Sequence, residues 1–341
     1  MSLDKQSRQY EVILEIGCAY TKVGFSLDTQ PKKVIKLNFE KPLQKSRLSY
    51  ELTVEEKLYQ IFNVDMVCNL KGRSVALIYN YYNNEEMYNV IAYVLFYKFE
   101  VAKIAFLIGN VLPLYMTGHY SGLVIDLGYN ASTVSAVYDG YSLLHQTGYI
   151  GEGGREAAKR VQMLLPDYQW EQLEDIAVKH AKVLNAGDVD DKQKIKLRHA
   201  EISEFELAKC YTDTYFGNYK DEESNIAYGF LKIVSQIKDR DIITKMAQNI
   251  VITGGARKIP NLLLRFKTEL LQLLESEFSS FRNIKFYITN LIAQNSSWVG
   301  GALIVQIGGY DRFIVTNSKF RENGNMFCTR SDAYNFISIK P

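Results

Sequence analysis

Apolar and β-branched residues in this chain gather into short runs, and two of those runs end on the same signal. Val12-Ile-Leu reaches the carboxylate of Glu15, one more apolar residue and Gly17, and the chain returns through Thr21, Lys22 and Val23 to Phe25. Leu123-Val-Ile reaches Asp126, Leu127 and Gly128 in the same way and returns from Ala131 to Val134. Each reads as two strands joined by a tight hairpin turn. The repetition suggests a duplicated domain. Between the hairpins, Ser74 to Tyr79 reads as a strand and Val101 to Ile108 as another. Asn84 to Glu100 reads as an amphipathic helix with Met87, Val90, Ile91, Val94, Leu95 and Phe99 on one stripe, a spacing that suits core packing. After the second hairpin, Gly151-Glu-Gly-Gly154 leads into a helix expected to turn Ala157, Ala158, Val161, Leu164 and Leu165 inward. Asn249 to Thr253 is a buried-type strand running into Gly254-Gly255. Pro260, suited to the first helical position, then opens a Leu-rich helix from Asn261 to Phe278. The elements are those of an α/β protein.

The turns carry the candidate chemistry. A glycine there supplies backbone freedom and lets main-chain N–H groups approach a ligand, so two facing turns would cradle a polyphosphate. Glu15 and Asp126 would then face the accompanying metal, because hard cations take oxygen ligands. Either hairpin alone is an ordinary structural element; the third segment changes the reading, since bare backbone at Gly254-Gly255 leaves room for a flat base. Composition adds limits rather than detail. With 341 residues and 47% hydrophobic content the chain can build two cores. A net charge of +2 with no basic stripe argues for no nucleic-acid partner. Cys18, Cys68, Cys210 and Cys328 are scattered without paired spacing and read as reduced thiols of an intracellular protein. Met1 to Gln9 lacks the apolar core of a secretory signal, and no apolar run approaches a membrane span. The expectation is a soluble, cytosolic protein.

The order and spacing of the two acid-Gly hairpins and the Gly-Gly turn resemble the two phosphate loops and the adenosine loop of the actin family. Leu112-Pro-Leu-Tyr-Met-Thr-Gly118 is similar to that family's hinge helix, and Ser296-Ser-Trp-Val-Gly-Gly-Ala302 to the tryptophan-diglycine segment of its second hinge. Phe25 and Tyr138-Asp139-Gly140 match the positions that close the two hairpins. The resemblance runs, with gaps, from Val12 to Gly301. It implies an actin-like ATPase fold of two duplicated α/β domains around a nucleotide cleft, with reduced outer lobes. The outer domain would take 1–116 and 299–341, with a truncated filament-loop lobe near 29–72. The inner domain would take 117–298, with a reduced lobe near 180–245. It further implies ATP or ADP with Mg as a structural ligand, held by Glu15, Gly17, Cys18, Lys22, Asp126, Gly128, Tyr129, Gly254, Gly255 and Ala256. Asp126 and Glu15 would face the metal, and Lys22 would supply a cation to the phosphates.

Departures from the family pattern point away from turnover. Members that hydrolyse ATP position the attacking water with a glutamine of the hinge helix and a histidine beyond the second phosphate loop; Gly109 and Thr133 stand there instead. Glycine has no side chain, and a threonine hydroxyl is a poor general base at neutral pH. Asn110 could substitute only with a shift of helix register. Glu15 replaces an aspartate, Cys18 a hydroxyl donor, and Tyr129 and Asn130 the acid and glycine of the second turn. The charged pair that grips adenosine is not evident before Cys210, although Glu206 lies near. The resemblance thus implies hydrolysis that is slow or absent and no catalytic residue.

Val94-Leu-Phe-Tyr-Lys-Phe-Glu-Val101, Asp126-Leu-Gly-Tyr129 and Ala19-Tyr20-Thr21-Lys22 are similar to the divergent actin-related branch at the pointed end of dynactin. That likeness implies a cytoplasmic, cytoskeletal protein that does not polymerise with itself. Its partners would be the subunits of dynactin's actin-like filament and the other pointed-end subunits, with no nucleic acid and no membrane insertion. An actin-related subunit of a chromatin-remodelling or other complex, and an active ATPase of the same superfold, remain open. The polar runs Asn185 to Arg198 and Lys220 to Ser224 read as solvated loops. Tyr310 to Pro341, rich in aromatics, is expected to be exposed, either as a tether onto the outer domain's core or as a partner patch.

Overall fold

The computed structural model describes residues 11–37, 39–40, 46–80, 85–190, 192–198, 200–217, 225–289 and 295–323. Its strands are β1 (Val12–Ile16), β2 (Thr21–Phe25), β3 (Lys33–Ile35), β4 (Ser74–Tyr79), β5 (Lys103–Ile108), β6 (Gly122–Leu127), β7 (Ala131–Tyr138), β8 (Tyr141–Glu152), β9 (Lys194–Lys196), β10 (Glu201–Ser203), β11 (Ile250–Thr253) and β12 (Ile314–Thr316). The chain separates into two compact units. The first comprises Met1–Tyr120, Asp139–Ser142 and Ile292–Pro341, and the second Ser121–Tyr138 and Leu143–Leu291.

In the first unit the sheet order is β12-β5-β4-β1-β2-β3. The acid-Gly segment forms the expected antiparallel hairpin of β1 and β2, and β4 lies parallel to β1 on its other side. Helix Ser296–Gln306 packs across β1 and β4 through Trp298, which is fully buried and donates its indole N–H to the carbonyl of Ile13 at 3.2 Å. The diglycine of that helix explains its seat. A β-carbon on Gly300 would come within 2.2 Å of the Leu112 carbonyl oxygen, so only bare backbone lets the helix lie against Leu112–Tyr115. Gly24 of β2 is bare for a related reason, the Trp298 ring lying 2.8 Å from where its β-carbon would stand.

The second unit repeats the plan. Its sheet runs β11-β6-β7-β8, with β6 and β7 forming the second acid-Gly hairpin and β11 parallel to β6. Reading outward from the hairpin, β3-β2-β1-β4 in one sheet corresponds to β8-β7-β6-β11 in the other. Beyond β11, where the first sheet has β5, Ile288 makes a single parallel bridge to Ile250. Asp139 and Gly140 join β7 to β8 with φ of 48° and 82°, the two-residue turn for which an Asp-Gly pair is suited. Among the described residues, six helices cover this unit's core, including Ile226–Ser235, capped by the Asn225 side chain, and Arg240–Ala247, capped by Asp239.

Several sequence expectations need correction. The helix expected over Asn84 to Glu100 spans Glu85–Tyr97 and is buried nearly all round, so its apolar stripe is wider than the periodicity indicated; Asn84 lies outside the described residues. Phe99 packs beyond the helix end, edge-on to Phe62 at 6.2 Å, and Glu100 reverses the chain at φ 53°. The following strand therefore starts at Lys103 rather than Val101. Helix Gly154–Leu164 buries Ala157, Ala158 and Val161, but Leu164 is exposed at the stripe's margin and Leu165 takes the buried place after it. Pro260 does not open the Leu-rich helix. A 3₁₀ turn Gly255–Lys258 intervenes, Asn261 is left-handed at φ 66°, and the helix runs Leu262–Glu275, short of Phe278. Val183 fixes that start, donating its N–H to the Pro260 carbonyl at 3.0 Å and accepting from the Asn261 amide at 3.1 Å.

Within the described part of the stretch from Tyr310 the backbone carries exposed polar residues, but the aromatic side chains are not exposed and tie it to the first unit. β12 pairs with β5, Phe320 is fully buried against Phe96, and the Tyr310 hydroxyl donates to the Glu11 carboxylate. Phe327, Tyr334, Phe336, Cys328 and the run Lys220 to Ser224 lie outside the described residues. Among the described part of Asn185 to Arg198, most positions are solvent-exposed and Lys194–Lys196 pairs with Glu201–Ser203.

Candidate functional site

In the first unit the hairpin brings Glu15, Gly17, Cys18 and Lys22 onto one turn. Ile16 faces Thr21, and the Gly17 amide donates to the Tyr20 carbonyl at 3.0 Å, leaving Cys18 and Ala19 at the tip. A β-carbon on Gly17 would lie 2.8 Å from that carbonyl oxygen. Gly128 repeats this geometry, with its amide bonded to the Ala131 carbonyl at 3.1 Å and its hypothetical β-carbon also 2.8 Å from that oxygen. Neither glycine has a positive φ. The backbone freedom expected of them takes a specific form: the close approach of a carbonyl across each turn requires glycine, and their own N–H groups close the turns.

Glu15 and Lys22 are directly opposed across the hairpin and form an ion pair, with Nζ donating to Oε1 at 2.6 Å. The second carboxylate oxygen, Oε2, is enclosed and has no hydrogen-bond partner among the described residues. The residues named for metal and phosphate are thus engaged with each other. Their equal distance from the turn centre was a signal available in the sequence, since residues so placed face one another in a two-residue hairpin. Cys18 is half-buried at the tip and takes part in no disulfide.

In the second unit, β11 brings the glycine pair to the acid-Gly turn, with Thr253 in register with Asp126. Gly254 has φ 93°, and a β-carbon there would fall 2.3 Å from the Leu127 carbonyl oxygen and 2.7 Å from Asp126 Oδ1. Both conformation and space therefore demand glycine at 254. Gly255 has nothing within 4 Å of its hypothetical β-carbon and presents open backbone. Ala256, by contrast, is buried in the core of this unit, so its methyl group packs inward. Burial also lowers the pKa of the neighbouring Arg257 guanidinium.

The Tyr129 side chain is engaged within the second unit. Its hydroxyl donates to Glu174 Oε1 at 2.9 Å and accepts from the Trp170 indole N–H at 3.0 Å, while Trp170 also reaches Glu174 at 3.1 Å. Burial pushes the hydroxyl pKa up to about 12, so it remains a neutral donor. The turn backbone is held as well: Gly128 and Tyr129 carbonyls accept from the Gly154 and Arg155 amides at 3.1 and 2.8 Å, at the start of helix Gly154–Leu164. Gly153 permits this contact, since a β-carbon there would meet the Tyr129 carbonyl oxygen at 2.4 Å. Sequence reasoning missed this clasp because Trp170 and Glu174 lie far along the chain. Replacing Tyr129 by Phe removes a shared hydroxyl and is expected to cost about 1–3 kcal/mol. Denaturant unfolding of the variant checks this, and a loss below about 0.5 kcal/mol would mean the clasp is idle.

The expected water-positioning places offer little. Gly109 follows β5 and precedes the helix Leu112–Tyr115, and a β-carbon on it would stand 3.0 Å from Ile78 Cγ2 and 3.3 Å from the Tyr79 carbonyl oxygen. Thr133 is buried within β7, in register with Asp126, and Asn110 is buried too. Glu206 is exposed in the first turn of helix Glu204–Phe216, whereas Cys210 is buried, which raises its thiol pKa to about 11. Among the described residues no cluster of three or more His, Cys, Asp or Glu is placed to hold a metal. Magnesium with a nucleotide needs only one or two carboxylates beside phosphate and water oxygens, and Asp126, whose Oδ1 lies beside Gly254, is a carboxylate at the glycine pair. No described helix is long and apolar enough to cross a membrane. The family model described as Actin matches residues 36–230 and 218–332.

Proposed function

This chain belongs to the actin family, whose model spans most of it, and from that premise we propose that it serves as a noncatalytic actin-related subunit capping the pointed end of dynactin's actin-like filament. Through that position it docks the other pointed-end subunits and supports dynein-driven transport on microtubules. ATP or ADP with magnesium is its structural ligand. In the second unit Asp126 is the carboxylate that faces the metal, the turn tip at Tyr129 offers backbone to the phosphates, and the open backbone at Gly255 takes the base. The bound nucleotide is held as a structural ligand rather than as the source of a group for transfer. At a concentration one hundred times its dissociation constant it would add about 2.7 kcal/mol of stability by mass action.

The observation that carries the noncatalytic part is the pair Gly109 and Thr133. A side chain at 109 would be crowded by Ile78 and the Tyr79 carbonyl, and Thr133 is buried in a strand. Phosphoryl transfer relies on positioning the nucleophile, so a site without that pair holds its nucleotide intact. The capping part rests on the likeness of Ala19-Tyr20-Thr21-Lys22, Asp126-Leu-Gly-Tyr129 and Val94 to Val101 to the pointed-end branch. Affinity purification from the native source, with mass spectrometry of bound proteins, tests it. Recovery with the filament and pointed-end subunits of dynactin is expected; recovery as a free monomer, or only with nuclear complexes, would overturn the assignment.

A further inference from the structure

Away from the candidate site, the second unit carries a short antiparallel ribbon of β9 and β10. Ile195 and Leu197 pack on the core of that unit, so alternation along the strand puts Lys194 and Lys196 on the solvent side, about 7 Å apart. Arg198, exposed where the ribbon turns, extends the row. The backbone has a definite phase. The Leu197 N–H donates to the Ala200 carbonyl at 2.8 Å and the Glu204 N–H to the Gln193 carbonyl at 2.9 Å, so Gln193, Ile195 and Leu197 direct their hydrogen-bonding groups towards β10. Lys194 and Lys196 therefore turn their N–H and C=O groups to the other edge, where no strand pairs with β9 among the described residues.

The charges on this edge are not balanced locally. Lys194 reaches Glu201 at 3.8 Å with side chains 66% and 48% exposed, a pairing worth little in water. Lys196, opposite that same glutamate, and Arg198 form no ion pair among the described residues. The acids just before the strand are occupied with their own loop, Asp188 accepting from the Asn185 amide at 2.7 Å and Asp190 from the Lys192 amide at 2.9 Å. We propose that the outer edge of β9 docks an extended acidic segment of a partner protein, which adds a third strand and sets alternate carboxylates against Lys194, Lys196 and Arg198. Backbone hydrogen bonds attach the segment, and the cations select it. Lysines on an open edge turn away neutral and basic strands, whereas an acidic strand meets attraction. A polynucleotide or an anionic membrane could answer the cations but has no strand-spaced donors and acceptors for the edge, so the open backbone favours a peptide. The inference concerns the second unit alone and depends on neither the nucleotide nor the capping assignment.

Fluorescence anisotropy of the full chain with a short labelled peptide alternating glutamate with valine tests this. The comparison peptides are the same sequence with glutamine for glutamate, and the glutamate peptide N-methylated at the amides that would face β9. Wild type is expected to bind the glutamate peptide, and to bind each comparison peptide about tenfold more weakly or less tightly still. Reversing the charges with Lys194→Glu and Lys196→Glu together is expected to weaken the glutamate peptide by at least about tenfold, while Lys194→Arg with Lys196→Arg retains it. The peptide arms need no protein variant, so a folding defect does not decide the outcome. Polyuridylate and phosphatidylserine vesicles, offered to the same proteins, are expected to bind more weakly than the peptide. If N-methylation leaves the affinity unchanged, or if either polyanion binds more tightly than the peptide and loses that binding on charge reversal, the row is a general anion face and the inference falls. Absence of peptide binding by wild type overturns it as well, and leaves the function proposed above standing.

Discussion

Gly254→Ala is expected to cost about 3 kcal/mol or more, whereas Gly255→Ala leaves stability unchanged or raises it by up to about 1 kcal/mol. The two glycines are adjacent, and composition does not distinguish them. At 254 the φ of 93° is strained for any L side chain, and the new methyl would sit 2.3 Å from the Leu127 carbonyl oxygen. That oxygen belongs to β6 and cannot retreat without breaking the strand's pairing with β7 and β11. At 255 the methyl meets nothing within 4 Å, and the residue begins a 3₁₀ turn with an ordinary backbone. Equilibrium melts of the two variants give the comparison, with the first expected about 6–12 °C below wild type. Equal melting temperatures would show that β11 does not press its glycine onto the acid-Gly turn.

Trp298→Ala carries the second large effect, an expected loss of about 3–5 kcal/mol from the first unit. The indole is fully buried beside Ile13, Ile78 and Leu112, and it fills the space that Gly24 leaves bare. Its N–H also satisfies the Ile13 carbonyl, so truncation removes packing and a hydrogen bond together. Trp298→Phe separates the two contributions. It keeps most of the volume and is expected to lose about 1–2 kcal/mol. Denaturant midpoints for the three proteins measure both steps; an alanine variant within about 1 kcal/mol of wild type would mean that helix Ser296–Gln306 is not anchored to β1 as described.

These two positions also show what the sequence could and could not convey. Glycine and acid punctuation marked both hairpins and the Gly254 turn correctly, because tight turns and close backbone approach leave few residue choices. What demands glycine at 17 and 128 is a carbonyl across the turn rather than a positive φ, a contact that no local pattern specifies. Pro260 misled because a local preference for the first helical position was overridden by hydrogen bonds from Val183, which is distant in sequence. Tyr129 was named as a ligand contact on its position in the turn. Its side chain is claimed by Trp170 and Glu174, partners that no local pattern reveals. The Glu15–Lys22 pair was legible in principle, because register in a two-residue hairpin follows directly from the turn. Hydrophobic periodicity found the helix near Glu85–Tyr97 but not how completely it is buried.

The central claim is that this actin-family chain keeps its nucleotide without turning it over. Single-turnover phosphate release tests it most directly, with the full chain in excess over MgATP labelled at the γ-phosphate and bound nucleotide followed through gel filtration. The expected result is ATP that stays with the protein and remains intact, with phosphate no higher than in the protein-free control. Release of one phosphate per bound nucleotide would contradict the account and restore an active site despite Gly109 and Thr133.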